Sequence, residues 1–222
     1  MKTTGIGSLP FTHSKLAEEY SLRHSLPFIP ELPMAGERFL IESSNELIDR
    51  IKMYENITNK DQFKIQLIGP TTFEKFVPQT NRPVPYQEIL IGTLTYISKI
   101  QCSNNQKIFI QLDEPQPPTN EDQKNNLTKS LGIISSFGFC PIVHSCQKIS
   151  VDYFPHSLSP YLALDLVLNP QFTNDHRLLI AGIDPRKMST NAQCEYVSFT
   201  CGMGLLSVND CDDIFKKLDA IK

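Results

Sequence analysis

LLIAGI at residues 178–183 and IFIQL at residues 108–112 are the stretches on which the fold reading turns. Each is nearly continuous in apolar side chains. A strand with one wet face alternates apolar and polar residues, so such runs are expected of parallel strands covered on both faces. Outward from these two, similar β-rich runs occupy residues 3–9, 26–30, 63–68, 141–143, 161–168 and 195–200, which makes eight. Helix signals lie between them. Ser43-x-x-Glu46 opens SSNELIDRIKMYENI, and Thr119-x-x-Asp122 opens a stretch whose Leu127, Leu131 and Ile134 recur at helical spacing and which ends at Gly138. Residues 86–100 carry Ile89, Leu90, Thr93, Ile97 and Ile100 on one face, and Ser207 with Asp210 caps a final helix striped by Ile214, Phe215, Leu218 and Ile221. Strand alternating with helix is α/β. Eight such units predict a compact (β/α)8 TIM barrel as a single domain over residues 1–222, with helices shortened after Cys146 and Asn169 because the chain is small for that fold. A dinucleotide-binding fold lacks its fingerprint, since GIGSLP at residues 5–10 has no third glycine and places Pro10 where the phosphate-binding helix would begin.

Composition narrows the function classes. The chain has 222 residues, 40% hydrophobic and 20% charged, with 21 Lys+Arg against 24 Asp+Glu and a net charge of -3. No basic surplus points to nucleic acid, and no apolar run is long enough for a membrane span. The N-terminal MKTTGIGSLPFTH has no continuous apolar core of the secretory type, so the expected location is cytoplasmic. Thiols stay reduced there, which makes the six cysteines (102, 140, 146, 194, 201, 211) candidates for ligands or nucleophiles before disulfides.

In a (β/α)8 barrel the chemistry stands at the C-terminal strand ends. The residues following the eight runs are Ser8; Glu31; Thr71 and Thr72; Asp113 and Glu114; His144 and Cys146; Asp165; Asp184; and Cys201. His144-Ser-Cys146 is the sharpest element. Residues two apart in extended chain point to the same side, so the imidazole and thiolate reach one metal ion, with Cys201 joining from a later strand. Two thiolates and an imidazole suit zinc and leave a fourth position open, for which Asp165 is the nearest oxygen donor; read alone, Cys146 is equally a small buried side chain, and Asp165 equally a helix cap. In Gln111-Leu-Asp113-Glu114-Pro115 the proline keeps Glu114 out of helical geometry and fixes two acids at the barrel mouth. Asp113 either binds a substrate amine or caps the following loop. In GIGSLP the glycines let backbone approach a ligand and Ser8 offers a hydroxyl.

With these residues in place, the chain resembles the catalytic C-terminal half of cobalamin-independent methionine synthase, within the superfamily that includes uroporphyrinogen decarboxylase and the zinc-dependent corrinoid methyltransferases. The resemblance runs through TTGIGSLPFT, LIGPTTF, IQLDEPQ, IVHSC and TCGMGLLS in order. It implies zinc on His144, Cys146 and Cys201, homocysteine's amino group on Asp113 and its carboxylate near Ile6, Gly7 and Ser8. Glu31 resembles a substrate-contacting acid, with Glu37 its rival. Asp165 stands where the family has a glutamate as fourth zinc ligand. The family's full-length enzyme has an additional N-terminal half that helps hold folate, so the donor expected here is a methylcorrinoid, free or on a corrinoid protein, or another small methyl compound. Coordination to zinc deprotonates a thiol that is otherwise mostly protonated at neutral pH. His156 is a candidate proton donor to a leaving nitrogen or a surface residue. Two rival classes are a decarboxylase of the uroporphyrinogen type, for which Arg82 and Arg186 are the few available cations, and a non-catalytic zinc- or thiol-binding subunit.

Overall fold

A computed structural model of the chain describes residues 1–35, 44–76, 85–100, 105–150, 160–186 and 192–221. Ser43, Glu37, Arg82, Cys102 and His156 lie outside the described residues. Among the described residues there are seven strands: β1 Lys2–Thr3, β2 Gln62–Ile68, β3 Lys107–Asp113, β4 Cys140–Ser145, β5 Tyr161–Asp165, β6 Leu178–Ile183 and β7 Tyr196–Phe199. All pair in parallel in the order β1-β7-β6-β5-β4-β3-β2, and the sheet curls. The α/β class is therefore as expected, whereas a closed eight-stranded barrel is not formed by these strands.

The departure is at residues 26–31, which take in the expected second strand, residues 26–30. They run between the two sheet edges and make only isolated parallel bridges, Leu26 to Thr4 and Glu31 to Ser8 on one side and Phe28 to Lys64 on the other. The sequence LPFIP explains this, because Pro27 and Pro30 have no N–H with which to continue a ladder. Leu26 N still donates to Thr3 O at 3.1 Å, Ile29 N to Lys64 O at 2.9 Å and Glu31 N to Gly7 O at 3.1 Å. The expected strand at residues 161–168 also stops early, at Asp165. Its Oδ1 accepts the Val167 and Leu168 amides at 2.8 and 3.4 Å and turns the chain.

The helices are α1 Ser14–Ser21, α2 Ser44–Lys52, α3 Glu55–Thr58, α4 Pro70–Phe76, α5 Tyr86–Ile100, α6 Glu121–Ser136 and α7 Val208–Asp219. The expected helix over residues 43–57 is divided into α2 and α3. The cap of α6 is Asn120, one residue later than expected: its side chain accepts Gln123 N at 2.9 Å, while Gln123 Oε1 takes the Thr119 amide. The α6 end is as read from sequence, with Gly138 at φ 81°. Ser207 and Asp210 form the expected reciprocal cap of α7. After Asn169 only the single 3-10 turn Pro170–Phe172 stands where a helix would be.

Strand alternation sorts the buried side chains into two clusters. Phe63, Ile65, Leu67, Ile108, Ile110, Leu112, Val143 and Leu164 pack with the helices. Phe109, Ile142, Ala163, Ile180 and Tyr196 form a second cluster with Ile6 and Leu26 on the concave face. Continuous apolar runs are thus apolar for two different reasons, one face meeting helices and the other the sheet's own interior. Toward the C-terminal strand ends the interior positions turn polar: Lys64 and Gln66, Gln111 and Asp113, His144, Asp165 and Asp184. No helix among the described residues is long and apolar enough to cross a membrane.

Candidate functional site

Parallel pairing brings the C-terminal ends of β3, β4, β5 and β7 to one edge of the sheet. Asp113 and His144 are register partners, and His144 is in turn the partner of Ala163 on β5. The DEP segment is fixed by its backbone: Gly69 N donates to Asp113 O at 2.9 Å and Glu114 N to His144 O at 3.0 Å.

His144 is 1% exposed, with Nδ1 2.9 Å from the Ala163 carbonyl oxygen. A carbonyl only accepts, so Nδ1 carries the proton and Nε2 faces the site. There Nε2 lies 3.7 Å from Asp113 Oδ1 and within hydrogen-bonding reach of the Cys201 thiol. Burial alone pushes His144 down, but the Cys201 hydrogen bond and the Asp113 charge outweigh it, and the net shift is upward. Cys201 is held well below the usual thiol range, first by its hydrogen bond from Cys146 and then by that from His144. Cys146 is correspondingly raised, by its bond to Cys201 and by burial. The three residues singled out by spacing therefore come close enough to interact with one another around Cys201.

The donor set fits zinc chemically: an imidazole turned toward the site by a backbone carbonyl on its other nitrogen, and two thiols. Among the described residues, however, no group of three or more His, Cys, Asp and Glu side chains stands in metal-ligand geometry. Asp165 is close enough for Cys201 and His144 to influence it electrostatically, but its Oδ1 is committed to the turn after β5. Burial raises its carboxyl.

Asp113 is raised by burial, partly offset by His144. Its Oδ2 accepts Gln66 Nε2 at 3.1 Å, and its Oδ1 is buried with no hydrogen-bond partner among the described residues. An orphaned acceptor beside His144 is where a ligand amine would be satisfied. Glu114 has a different task. It is fully buried, and its oxygens accept the Thr71 and Thr72 amides at 2.8 and 3.0 Å and the Thr72 hydroxyl at 2.7 Å, tying β3 to the start of α4. Burial lifts it to about 7 despite those donors. Beside it opens a cavity of about 420 Å³ lined in part by Thr71, Lys75, Gln116 and Gln123.

The Ile6–Ser8 loop also reaches this edge. Ile6 O accepts Lys64 Nζ at 2.7 Å and Gln111 Nε2 at 3.2 Å. Gly7 packs on Gln66 so closely that a Cβ would lie 1.6 Å from Oε1. Ser8 is a clasp on the Cys201 loop: its carbonyl accepts Met203 N at 2.8 Å and its hydroxyl accepts Gly204 N at 3.3 Å. A Cβ at Gly202 would lie 2.0 Å from that hydroxyl. Glu31 is buried and bound through its backbone to Gly7 and Leu9. Asp184 is held bidentately by Arg186, which also stacks on Phe199.

Lys64 and Gln66 are part of this site although neither stands at a strand end. The signal was present: two polar residues at alternate positions of an otherwise apolar run point to one face, here the interior. Neither a scan against protein-family models nor a search of curated proteins returns a match to this sequence.

Proposed function

We propose that the chain is a zinc-dependent S-methyltransferase of methionine-synthase type, which moves a methyl group onto the thiol of homocysteine to give methionine. The observation that carries this reading is the convergence of His144, Cys146 and Cys201 at the strand ends beside Asp113, whose Oδ1 lies 3.7 Å from His144 Nε2. On the same reading residues 26–31 are the eighth stave of a compact (β/α)8 barrel, supported by their bridges to both sheet edges.

His144 Nε2 and the Cys146 and Cys201 sulfurs would hold the zinc, with Asp165 the nearest carboxylate. When bound, zinc supplies a substrate thiol that is deprotonated at neutral pH and still nucleophilic. The chain's own residues do the rest. Asp113 Oδ1 accepts the substrate's ammonium group, and Gln66 holds Oδ2 so that the carboxylate keeps this orientation. The Ala163 carbonyl keeps the His144 proton on Nδ1 and leaves Nε2 as donor. The Ser8 clasp sets the Cys201 loop. The thiol proton leaves to solvent, the sulfur lone pair forms the S–CH3 bond, and the donor departs with the electrons of its broken bond to methyl. The setting is a reducing cytosol, which suits the free Cys140, Cys146, Cys194, Cys201 and Cys211. Incubation with homocysteine and, in separate reactions, a methylcorrinoid and methyl-folate should yield methionine with one of them; no methionine with either, from protein shown to contain zinc, would remove the enzymatic reading.

The commitment of Asp165 Oδ1 to its turn favours a second reading, a zinc- or thiol-binding subunit without turnover of its own. Zinc retention with no methionine from either donor would select it.

A further inference from the structure

Lys64 is fully buried on the concave face of the sheet. Its Nζ donates to Ile6 O at 2.7 Å and Gln111 Oε1 at 2.8 Å, and it lies 5.6 Å from the centre of the Phe28 ring. The described residues give it no carboxylate at ion-pair distance. Gln111, from the neighbouring strand, donates to the same Ile6 carbonyl. Two side chains are thus spent on one backbone oxygen, and one of them is a buried amine, which is a costly way merely to stabilise a strand.

The consequence lies on the other side of the peptide. In a trans peptide the C=O and the following N–H point in opposite directions, so an Ile6 carbonyl drawn inward to Lys64 turns the Gly7 N–H away from it. Neither the Gly7 nor the Ser8 amide has an acceptor among the described residues, although Gly7 is buried and Ser8 half-buried. Buried amides are ordinarily paired. Ser8 is clasped to the loop that carries Cys201, so this pair of free N–H groups borders the thiol cluster. Two successive amides are a seat for an anion.

We propose that Lys64 is a positioning residue for substrate recognition: by holding the Ile6 carbonyl it aims the Gly7 amide, beside a Ser8 amide whose peptide is held by the Gly7 O–Glu31 N bond, at the α-carboxylate of an amino-acid thiol. The inference rests on the homocysteine reading above and names the residue that sets its preference for a carboxylate-bearing thiol.

The test is calorimetric binding of L-homocysteine and of its decarboxylated analogue, aminopropanethiol, to the zinc-supplemented wild-type chain and Lys64→Met. Wild type should prefer homocysteine. The variant should lose about ten- to a hundredfold for homocysteine, the range of a hydrogen bond to a charged group, and about twofold or less for the analogue. A purely structural role would weaken both thiols alike, and that outcome overturns the proposal. So does retained preference in the variant. Equal binding of both thiols by wild type would remove the carboxylate seat while leaving a thiol-binding zinc site standing; binding of neither would remove both. Should Lys64→Met not fold, Gln111→Leu removes the other donor to the same carbonyl and should show the same selective loss.

Discussion

Replacing Lys64 by Met should stabilise the protein near neutral pH and cease to do so in mild alkali. Burial pushes the Lys64 amine down from 10.5 to about 7. A lysine whose folded value is depressed weakens the fold by its full amount below that value, and the penalty disappears as pH rises toward 10.5. At about 1.4 kcal/mol per pH unit, the penalty is about 4 kcal/mol at roughly pH 7 and about 2 kcal/mol at roughly pH 9. Against this, methionine forfeits the bonds to Ile6 O and Gln111 Oε1, at about 1 kcal/mol each. A neutral amine has just the two donors that these acceptors require, which agrees with the depressed value. Methionine fills a similar volume beside Phe28, so a cavity adds little. The variant should therefore be more stable by about 2 kcal/mol at roughly pH 7 and close to wild type at roughly pH 9. Urea unfolding of both proteins at the two pH values measures this. A variant less stable than wild type at the lower pH, or a difference unchanged between the two, would refute the interior amine as described.

Glu114 carries the opposite pH signature. Its folded value of about 7 lies above the ordinary 4.5, so its contribution to stability is greatest below 4.5 and falls as pH rises toward 7; Glu114→Gln should flatten that part of the stability profile in urea titrations. Gly202→Ala places a methyl 2.0 Å from Ser8 Oγ and should loosen the clasp on the Cys201 loop, lowering zinc retention on dialysis about tenfold with a loss of roughly 1–3 kcal/mol in stability. At the distant N-terminus of α6, Asn120→Ala should cost about 1 kcal/mol and Asn120→Asp nearly nothing in thermal unfolding, since only the former removes the acceptor for Gln123 N.

What the sequence made readable and what it hid follow from the range of the interactions involved. LLIAGI and IFIQL announced buried parallel strands because burial on both faces leaves no polar alternation to confuse the pattern. The 26–30 run was read as an equal strand although its two prolines already withheld the N–H groups a ladder needs. Asp165 was read as a possible ligand, and its local role in turning the chain at Val167 and Leu168 was the alternative offered by the same residue type. His144, Cys146 and Cys201 were found through spacing and strand ends. The mutual influence of Cys146, His144 and Cys201 is out of reach of the sequence, because it arises from contacts between the end of β4 and the loop after β7 that no local pattern encodes. Lys64 and Gln66 sit within β2 and so carry no strand-end signature.

His144, Cys146 and Cys201 are proposed to hold zinc. Metal analysis of protein purified without added metal tests this most directly. About one zinc per chain is expected, falling toward zero in Cys201→Ser; a chain that holds no zinc even after reconstitution, or a Cys201→Ser variant that keeps its full zinc content, would contradict the claim.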